Sequence, residues 1–375
     1  MWLFYVLSIL PLCVGAFFWY RNDEVVWWEW ILSFIAAFLV SVLFHVMAFK
    51  GMTNDYETWS GQIDKVVHYP RWVEEVEHTE TTTDKDGKTT TRTYYTYTTH
   101  PEYWAAYSNI DTNRRISEQT YRDLTFKFGN KTIQKWAMKT GFYSGDHNIY
   151  TCNNETGYCC PINDWVTFEN RIKAAPTLFS FPPVPSSAPV FEYPKNDNWF
   201  SSDRLIGLAN NHIDLLEFDR MNARLGPIKR VNVIVIGFAK GTPEITAEHQ
   251  RAKFVGGRKN DLVICYAGGD MGTKPEWVSV FGWTESEICK ENLKSLLLDR
   301  PINNDVLPII EKEIVATYKI KDWEKFDYIN IEPPMWSYFV FFIVMIGTQI
   351  GYWIWACGNK EGKGSPLFSA FSRYG

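Results

Sequence analysis

The sequence has no excess of positive charge. Its 38 Lys and Arg residues are outnumbered by 43 Asp and Glu residues, which leaves a formal net charge of −5 at pH 7. It also has no run of Lys and Arg of the kind that binds a phosphate backbone. We therefore expect no nucleic-acid partner.

Common catalytic signatures are missing as well. The chain has no Gly-x-Ser-x-Gly elbow, no His-Glu-x-x-His zinc motif and no Walker or dinucleotide pattern that leads from a strand into a helix. His68, His78 and His100 lack the paired spacing of metal ligands. The sequence thus predicts no catalytic residue and no bound cofactor, apart from one candidate divalent-cation site described below.

What the chain does have is three long apolar segments, at residues 2–20, 30–48 and 336–357. At about 1.5 Å of rise per residue, each can cross a hydrocarbon core of roughly 30 Å. Trp and Tyr cluster near their ends, as they do at the headgroup level of a bilayer. The alternative, buried core helices, fits these flanks less well, so we predict transmembrane helices at about 2–20, 26–48 and 333–357 and the lipid bilayer as a partner.

The first segment has no preceding basic residue and no small-residue cleavage site, so we interpret it as an anchor and not as a cleaved signal. Residues 1–50 then form a helical hairpin with its turn at residues 21–24. Arg21 in the turn and three basic residues in the tail favour a cytoplasmic location for both. Lys50, Lys321 and Lys325, on the other side of the membrane, argue for the opposite orientation.

This topology makes residues 358–375 a cytoplasmic tail and puts residues 51–334 outside the cytoplasm. The protein is then a multi-pass protein of the inner or plasma membrane with an α+β extracytoplasmic domain. Within that domain the stretch "PTLFSFPPVPSSAPVFEYP" is too rich in proline for a helix or a central strand. We predict that residues 176–200 connect a β-rich lobe, 51–175, to an α/β lobe, 201–332.

The β-rich lobe contains a strong hairpin signal. Asp86-Gly87 lies between two runs rich in Thr and Tyr, which favour strands. Pairing outward from a two-residue turn sets His78 near Tyr95, with Glu77 and Glu80 across from threonines. Further along, "RDLTFKFGNKT" is typical of a strand and a turn.

The α/β lobe has a clearer pattern. The runs "RVNVIVIGF", "GGRKNDLVICYAGGD" and "PEWVSVFGW" predict three strands, with the helix-length segment "EITAEHQRAKFV" between the first two. Two more helices follow, in "TESEICKENLKSLLL" and "NDVLPIIEKEIVATY". Thr284 and Glu287 have the spacing of a capping box at the start of the first of these. This order predicts a mixed sheet with helices packed on it.

These elements, with the runs "VNVIVIGF", "GGRKNDLVICYAGGD" and "WVSVFGW", resemble the TPM domain over residues 201–328. That family comprises extracytoplasmic modules of bacteria and chloroplasts, usually tethered by a transmembrane helix. Some members are reported to have phosphatase activity or to bind divalent cations, and others act in membrane-complex assembly or repair. The resemblance therefore implies a tethered module of one of these kinds.

By position, Gly257, Asn260 and Asp261 match the family's turn before its second strand, and Gly282 stands near its later glycine. Where the family has an acidic, glycine-rich loop, this sequence has "GWTESE". From the residues themselves, Asp261 and Asp270 could flank a small cation site at the two ends of one strand. The alternative is that both aspartates cap turns.

Cys152, Cys159 and Cys160 lie close together in "YTCNNETGYCC". A zinc site needs further ligands, and Cys265 and Cys289 belong by sequence to a buried strand and a helix. Outside the cytoplasm, Cys152 can instead form a disulfide with Cys159 or Cys160 around a short turn. The sequence predicts this disulfide and leaves its pairing open.

Two functions remain. The first is a membrane-anchored interaction or assembly module whose partner is another membrane or envelope protein. The second is a TPM-like phosphohydrolase that depends on a divalent cation. A transporter is disfavoured because the apolar segments contain scarcely any charge for an ion pathway.

Overall fold

The computed structural model describes residues 2–7, 9, 13, 27–128, 130–134, 147–151, 160–175, 178–179, 181–195, 198–200, 203–269 and 272–361. The chain is a mixed α/β protein that divides into two compact units. Unit 1 comprises residues 1–55, 167–180 and 323–375, and unit 2 comprises residues 56–166 and 181–322. Unit 2 thus contains strands from both predicted lobes.

Unit 1 is built on helices. They are α1 (Trp2–Leu7), α2 (Trp27–Thr53), the short α4 (Arg171–Ala174) and α10 (Met335–Glu361). Two are long and apolar enough to cross a membrane, over Ile31–Thr53 and Met335–Tyr352, with mean hydropathies of 2.4 and 1.4. The second and third predicted helices are therefore confirmed as helices. Apart from α1 and two single residues, the first predicted span lies outside the described residues, as do its turn and the tail after Glu361.

Helices α2 and α10 pack through small and aromatic residues. Ser33, Ala37 and Ser41 recur every four residues on α2 and are fully buried, which lets Phe341 and Met345 of α10 approach closely. Gln349 of α10 also donates a hydrogen bond from Nε2 to the carbonyl of Ser33 at 3.4 Å. A polar contact of this kind fixes which faces of two apolar helices meet.

Unit 2 contains a six-stranded antiparallel sheet in the order β5-β4-β1-β7-β6, with β8 paired to β1. The pairs whose register is known, β1 with β4 and β7, β4 with β5 and β6 with β7, are antiparallel. The strands are β1 (Asn54–Tyr69), β4 (Tyr103–Ser108), β5 (Asn113–Ile116), β6 (Asn130–Gln134), β7 (His147–Thr151) and β8 (Pro161–Glu169). Helix α3 (Glu118–Phe128) covers its core with Leu124 and Phe128.

Helix α3 corrects one prediction. The stretch "RDLTFKFGNKT" was expected to be a strand and a turn, but residues up to Phe128 are helical and a strand begins only at Asn130. Ser117 caps the start by accepting a hydrogen bond from the amide of Thr120 at 3.0 Å. Leu124 and Phe128, four residues apart, then form the buried stripe of a helix.

The predicted hairpin is confirmed. Strands β2 (Trp72–Thr83) and β3 (Thr89–His100) pair over their whole length as a separate two-stranded sheet, which we call the ribbon. At about 3.4 Å per residue it is about 40 Å long.

The predicted register of the ribbon is wrong by one residue. His78 faces Tyr94, Glu77 faces Tyr95 and Glu80 faces Arg92. The reason lies in the turn, because the amide of Asp84 bonds the carbonyl of Lys88, which leaves three residues in the loop instead of two. Gly87 adopts the positive φ of 76° that this longer loop requires.

The second sheet of unit 2 has the order β12-β11-β10-β9. Its strands are β9 (Leu205–Gly207), β10 (Asn232–Phe238), β11 (Asp261–Gly268) and β12 (Pro275–Gly282). Strand β10 is parallel to β9 and β11, and β12 is antiparallel to β11, so the mixed sheet is confirmed. Every residue of β10 and β11 is buried, as expected for strands covered on both faces.

Helices cover this sheet on both faces. One face packs on α6 (Leu215–Lys229), α8 (Glu287–Leu298) and α9 (Leu307–Thr317), the other on α7 (Ile245–Lys253) and the proline-rich connector. The short α5 (Ala209–His212) follows β9. The predicted order of three strands and three helices is confirmed, while β9, α5 and α6 were not predicted.

The predicted capping box is wrong by two residues. Ser286 is the N-cap of α8 and accepts a hydrogen bond from the amide of Cys289 at 3.4 Å. The hydroxyl of Thr284 instead donates to the carbonyl of Lys319 at 2.8 Å, in an isolated bridge beside Ile320.

The described part of the connector has no helix longer than a single turn and no strand, as its prolines predict. Phe191 and Tyr193 of the connector pack against buried residues of the sheet. Phe191 also exchanges two hydrogen bonds with the side chain of Gln250 in α7, at 2.8 and 3.0 Å. The boundaries proposed for the two lobes and the connector stay predictions.

Candidate functional site

Asp261, one of the two candidate cation ligands, is fully buried at the start of β11. Its Oδ1 accepts a hydrogen bond from Nδ2 of Asn232 at 2.8 Å. Its Oδ2 accepts two more, from the hydroxyl of Tyr193 at 2.8 Å and from the amide of Arg258 at 2.7 Å. Both carboxylate oxygens are therefore occupied by protein donors.

The surroundings of Asp261 also affect proton binding. Burial raises the pKa of Asp261, although its three hydrogen bonds and the nearby Arg258 cation oppose this shift. Burial and the adjacent carboxylate raise the pKa of Tyr193 well above its usual value, which keeps the phenol protonated as a donor. The Arg258 guanidinium lies between two rings, 3.3 Å from the centre of Tyr56 and 3.8 Å from that of Tyr193.

A second cation, Arg204, continues this arrangement. It is fully buried and donates from Nη2 to Asp219 Oδ1 at 2.8 Å and from Nη1 to Asn232 Oδ1 at 3.0 Å. Nη1 also donates to the hydroxyl of Ser60, which belongs to β1. We call the connected residues the buried polar cluster: Ser60, Tyr193, Arg204, Asp219, Asn232, Arg258 and Asp261.

The cluster ties the two sheets of unit 2 together. Besides Ser60, the carbonyl of Thr58 in β1 accepts a hydrogen bond from Asn260 Nδ2 at 2.6 Å. Gly226 of α6 lies so close to β1 that an added Cβ would stand 1.9 Å from the carbonyl oxygen of Ser60. Buried polar groups satisfied in this way fix one arrangement of the elements they join.

Asp270, the second candidate ligand, lies outside the described residues. Strand β11 runs from Asp261 to Gly268, about 23 Å further at 3.3 Å per residue. Within the described part of the chain, no group of three or more His, Cys, Asp or Glu side chains could hold a metal ion. The cation site at Asp261 and Asp270 stays a prediction.

The structure does not test the predicted disulfide, because Cys152 and Cys159 lie outside the described residues. Cys160 is buried directly before β8. Cys265 and Cys289, assigned by sequence to a buried strand and a helix, are buried and free. Burial raises the pKa of both thiols, so neither is an activated nucleophile.

The ribbon offers a different kind of site. From residue 76 to residue 99, every side chain except that of His78 is exposed. Tyr94, Tyr95 and Tyr97 expose 44%, 47% and 61% of their surface, so a large part of each aromatic side chain faces solvent. A surface of this composition is typical of protein contacts.

The two faces of the ribbon differ. On one face, Tyr95 and Tyr97 lie directly across from Glu77 and Glu75. On the other, the ring of His78 stacks on Tyr94 with 5.1 Å between centroids. At the base of the ribbon, Trp72 stacks on His100 at 4.1 Å, and His100 Nε2 lies 2.9 Å from Glu74 Oε2. These pairs hold the two strands together.

An open cleft of about 560 Å³ lies between α3, the start of β8 and the N-terminus of α6. Leu215 and Leu216 line it and expose 41% and 47% of their surface. Its acidic groups are already engaged, since Asp214 caps α6 and Asp219 pairs with Arg204. Leu124, Phe200 and the two leucines give the described part of its lining a largely apolar surface.

Sequence reasoning missed the buried polar cluster almost entirely. Arg204 belongs to a segment that carries no motif, while Asn232 was noted only as part of an apolar strand and Tyr193 only as part of the proline-rich connector. Their contacts depend on segments far apart in the chain. The only available signal was the Asn260-Asp261 turn, which was interpreted as a cation site or as turn caps.

No family model, no curated protein and no solved structure matches the chain. The resemblance to the TPM domain therefore stays a prediction that rests on residues 201–328 alone.

Proposed function

We propose that this chain is an integral membrane protein whose extracytoplasmic domain acts as an interaction or assembly module, with the ribbon as its contact surface. The observation that carries the proposal is the exposure of the ribbon on both faces. A β-ribbon of two strands buries no core of its own, so its tyrosines are available to a partner.

The anchoring part of the proposal is supported by the outward faces of α2 and α10. Leu39, Phe339 and Ile343 expose 61%, 68% and 68% of their surface. Core helices of a soluble protein would bury such side chains, whereas a bilayer covers them at no cost. The lipid bilayer is therefore the proposed environment of both helices, and a hairpin formed with the segment before α2 completes a multi-pass topology.

The proposed orientation is tested with a membrane-impermeant protease on intact cells. We expect cleavage within the ribbon, because its backbone lies in an exposed two-stranded element. A tag after residue 361 should stay protected until the cells are opened. Protection of the ribbon together with cleavage of the tag would contradict the orientation.

A TPM-like phosphohydrolase is the alternative, and the geometry around Asp261 supports it less. Hydrolysis needs a water or nucleophile beside a positioned base, together with donors or a metal that stabilise the developing charge. Asp261 is fully buried and already accepts three hydrogen bonds. It would have to lose these partners before it could bind a cation or activate water.

This alternative has its own test. The purified full-length protein in detergent is assayed with a generic phosphomonoester and Mg²⁺ or Mn²⁺, beside Asp261→Asn. We expect no hydrolysis that depends on Asp261. A robust rate in the wild type that the substitution abolishes, with the fold retained, would make the enzyme the better interpretation.

The contact surface is tested by photo-crosslinking in native membranes. A photoreactive amino acid replaces Tyr97 on the ribbon or, as control, Ile288 on α8, which is similarly exposed at 67%. We expect discrete adducts with an envelope protein from position 97 and none from position 288. Equal adducts from both positions, or none from position 97, would argue against the ribbon as a contact surface.

A further inference from the structure

The two long edges of the ribbon are chemically different. Strand β2 reads "WVEEVEHTETTT" and carries four glutamates, whereas β3 reads "TTTRTYYTYTTH" and has Arg92 as its only permanent charge. The stretch Thr93–Thr99 of β3 consists of threonine and tyrosine alone. Both residue types favour strands.

Each strand of the ribbon pairs with the other on one side only, so among the described residues each has an outer edge without a partner strand. Proteins usually protect such an edge with charges, proline or a bulge. Strand β2 has glutamates for this purpose, and β3 has nothing comparable between Thr93 and Thr99. A two-stranded ribbon is also only marginally stable in water, and further strands would stabilise it.

We infer that the open edge of β3 pairs with β3 of a second copy of this chain, antiparallel about a twofold axis at Thr96, to form a four-stranded sheet. This inference rests on the proposed function and specifies one partner for its contact surface. A twofold contact is self-complementary, so the same edge serves both copies.

The charges of the two strands favour the edge of β3 as the contact and a second copy of the chain as the partner. Pairing through β2 would bring the glutamates of two copies face to face, and like charges directly opposite are destabilising. Pairing through β3 leaves those glutamates on the two outer edges of the new sheet. There they also protect the assembly against addition of further copies.

A register centred on Thr96 gives favourable pairs along the whole uncharged stretch. Thr93 faces Thr99 of the second copy, Tyr94 faces Thr98, and Tyr95 faces Tyr97. The two tyrosine pairs lie on one face, flanked by Glu75 and Glu77 of each copy. Aromatic pairs across neighbouring strands are among the stabilising contacts of sheets. Confinement of both copies to one membrane raises their effective concentration.

Single cysteines test this pairing in the full-length protein in native membranes. Cysteine is placed in turn at Thr93, Tyr95, Thr96 and Thr98 on β3, and at Val76, which faces Thr96 from β2. Under mild oxidation we expect a disulfide-linked dimer chiefly from Thr96→Cys, because only the residue on the twofold axis meets itself. The wild type, with its native cysteines, sets the background.

A matched pair of charge substitutions tests the same point without cross-linking. Thr96→Lys places two ammonium groups beside the axis, whereas Val76→Lys puts the same charge on the same face at the outer edge. Dimerisation in lipid nanodiscs is expected to weaken by roughly tenfold or more for Thr96→Lys and to change by less than about twofold for Val76→Lys.

The result that overturns the inference is a cross-linking maximum elsewhere on β3, equal cross-linking from Val76→Cys, or no dimer above background. Equal effects of Thr96→Lys and Val76→Lys on dimerisation would also overturn it. If position 97 meanwhile forms adducts with a different protein, the ribbon stays a contact surface and only the self-pairing fails. If neither the disulfide-linked dimer nor an adduct from position 97 forms, the proposed function fails as well.

Discussion

Asn232 donates a hydrogen bond to Asp261 over 2.8 Å, and the two residues face each other at the first paired position of β10 and β11. The other end of the Asn232 amide accepts a hydrogen bond from Arg204 at 3.0 Å. The amide is therefore held in one orientation, with its donor toward an acid and its acceptor toward a cation. This single side chain connects the hydrogen bonds around Asp261 with those around Arg204, the two parts of the buried polar cluster.

Asn232→Asp is expected to destabilise the fold. The substitution keeps the size of the side chain but replaces the donor with an oxygen that faces the Asp261 carboxyl group in a fully buried site. We expect a loss of about 3 kcal/mol, since an unfavourable buried charge costs that much. Thermal unfolding of the full-length protein in detergent measures the effect. The same substitution at exposed Asn211 should change stability by less than about 0.5 kcal/mol, and equal effects would contradict the role of Asn232.

Asp261 should make the stability of the fold depend on pH. Burial raises its pKa above the usual 3.8, so the folded protein keeps this proton to a higher pH than the unfolded chain does. The group then opposes folding increasingly as the pH rises through the window that begins at 3.8. Asp261→Asn removes that titration.

The measurement is urea unfolding of both proteins in detergent from about pH 4 to about pH 7. The free energy of unfolding of the wild type minus that of Asp261→Asn should fall as the pH rises. A difference that grows with pH would mean that the folded state instead lowers the pKa of Asp261.

Arg204 and Asp219 should show strong coupling. Arg204→Met removes the cation and leaves Asp219, which is only 4% exposed, as a buried charge without its ion-pair partner. We expect a loss of about 3 to 5 kcal/mol. Adding Asp219→Leu to this variant should restore part of the loss, because the remaining site is then apolar. Losses that simply add in the double variant would show that the pair is not coupled.

The predicted disulfide and the buried thiols can be examined in one labelling experiment. Non-reducing peptide mapping should show Cys152 linked to Cys159 or Cys160. Cys265 and Cys289 should resist a thiol reagent in the folded protein, because both are fully buried and burial raises the pKa of each thiol. Both should react in denaturant. Labelling of Cys152, Cys159 and Cys160 without reduction would reject the disulfide and the oxidising compartment that it assumes.

Most elements of the fold could be predicted where a local pattern determines them. The run "VNVIVIGF" is almost entirely apolar because β10 is buried on both faces. The apolar composition of α2 and α10 marks both as helices long and apolar enough to cross a membrane. The ribbon was predicted from Asp86-Gly87, but its register was not, because the loop contains one more residue than the dipeptide implied.

The parts of the fold and of the candidate site that could not be predicted depend on contacts between distant segments. Helix α6 carries Gly226 and Pro227, which argue against a helix locally, yet the helix continues through both residues. The close approach of Ser60 explains why a glycine occupies this position. Likewise, nothing near Arg204 in the sequence indicates that Ser60, Asp219 and Asn232 surround it. Only tertiary packing brings these residues together.

Among the helical glycines whose surroundings are described, Gly226 is the one where a change to alanine is expected to disrupt the fold most. Its Cβ would stand 1.9 Å from the carbonyl oxygen of Ser60, and a backbone atom of a central strand cannot move away easily. We expect a loss of at least about 3 kcal/mol, together with increased protease sensitivity of residues 56–60.

The matched control is Gly347→Ala in α10, where no atom lies within 4 Å of the added Cβ. That variant should unfold within about 1 kcal/mol of the wild type, since alanine is the better helix former. Equal stability of the two variants would mean that α6 and β1 are not packed as closely as described.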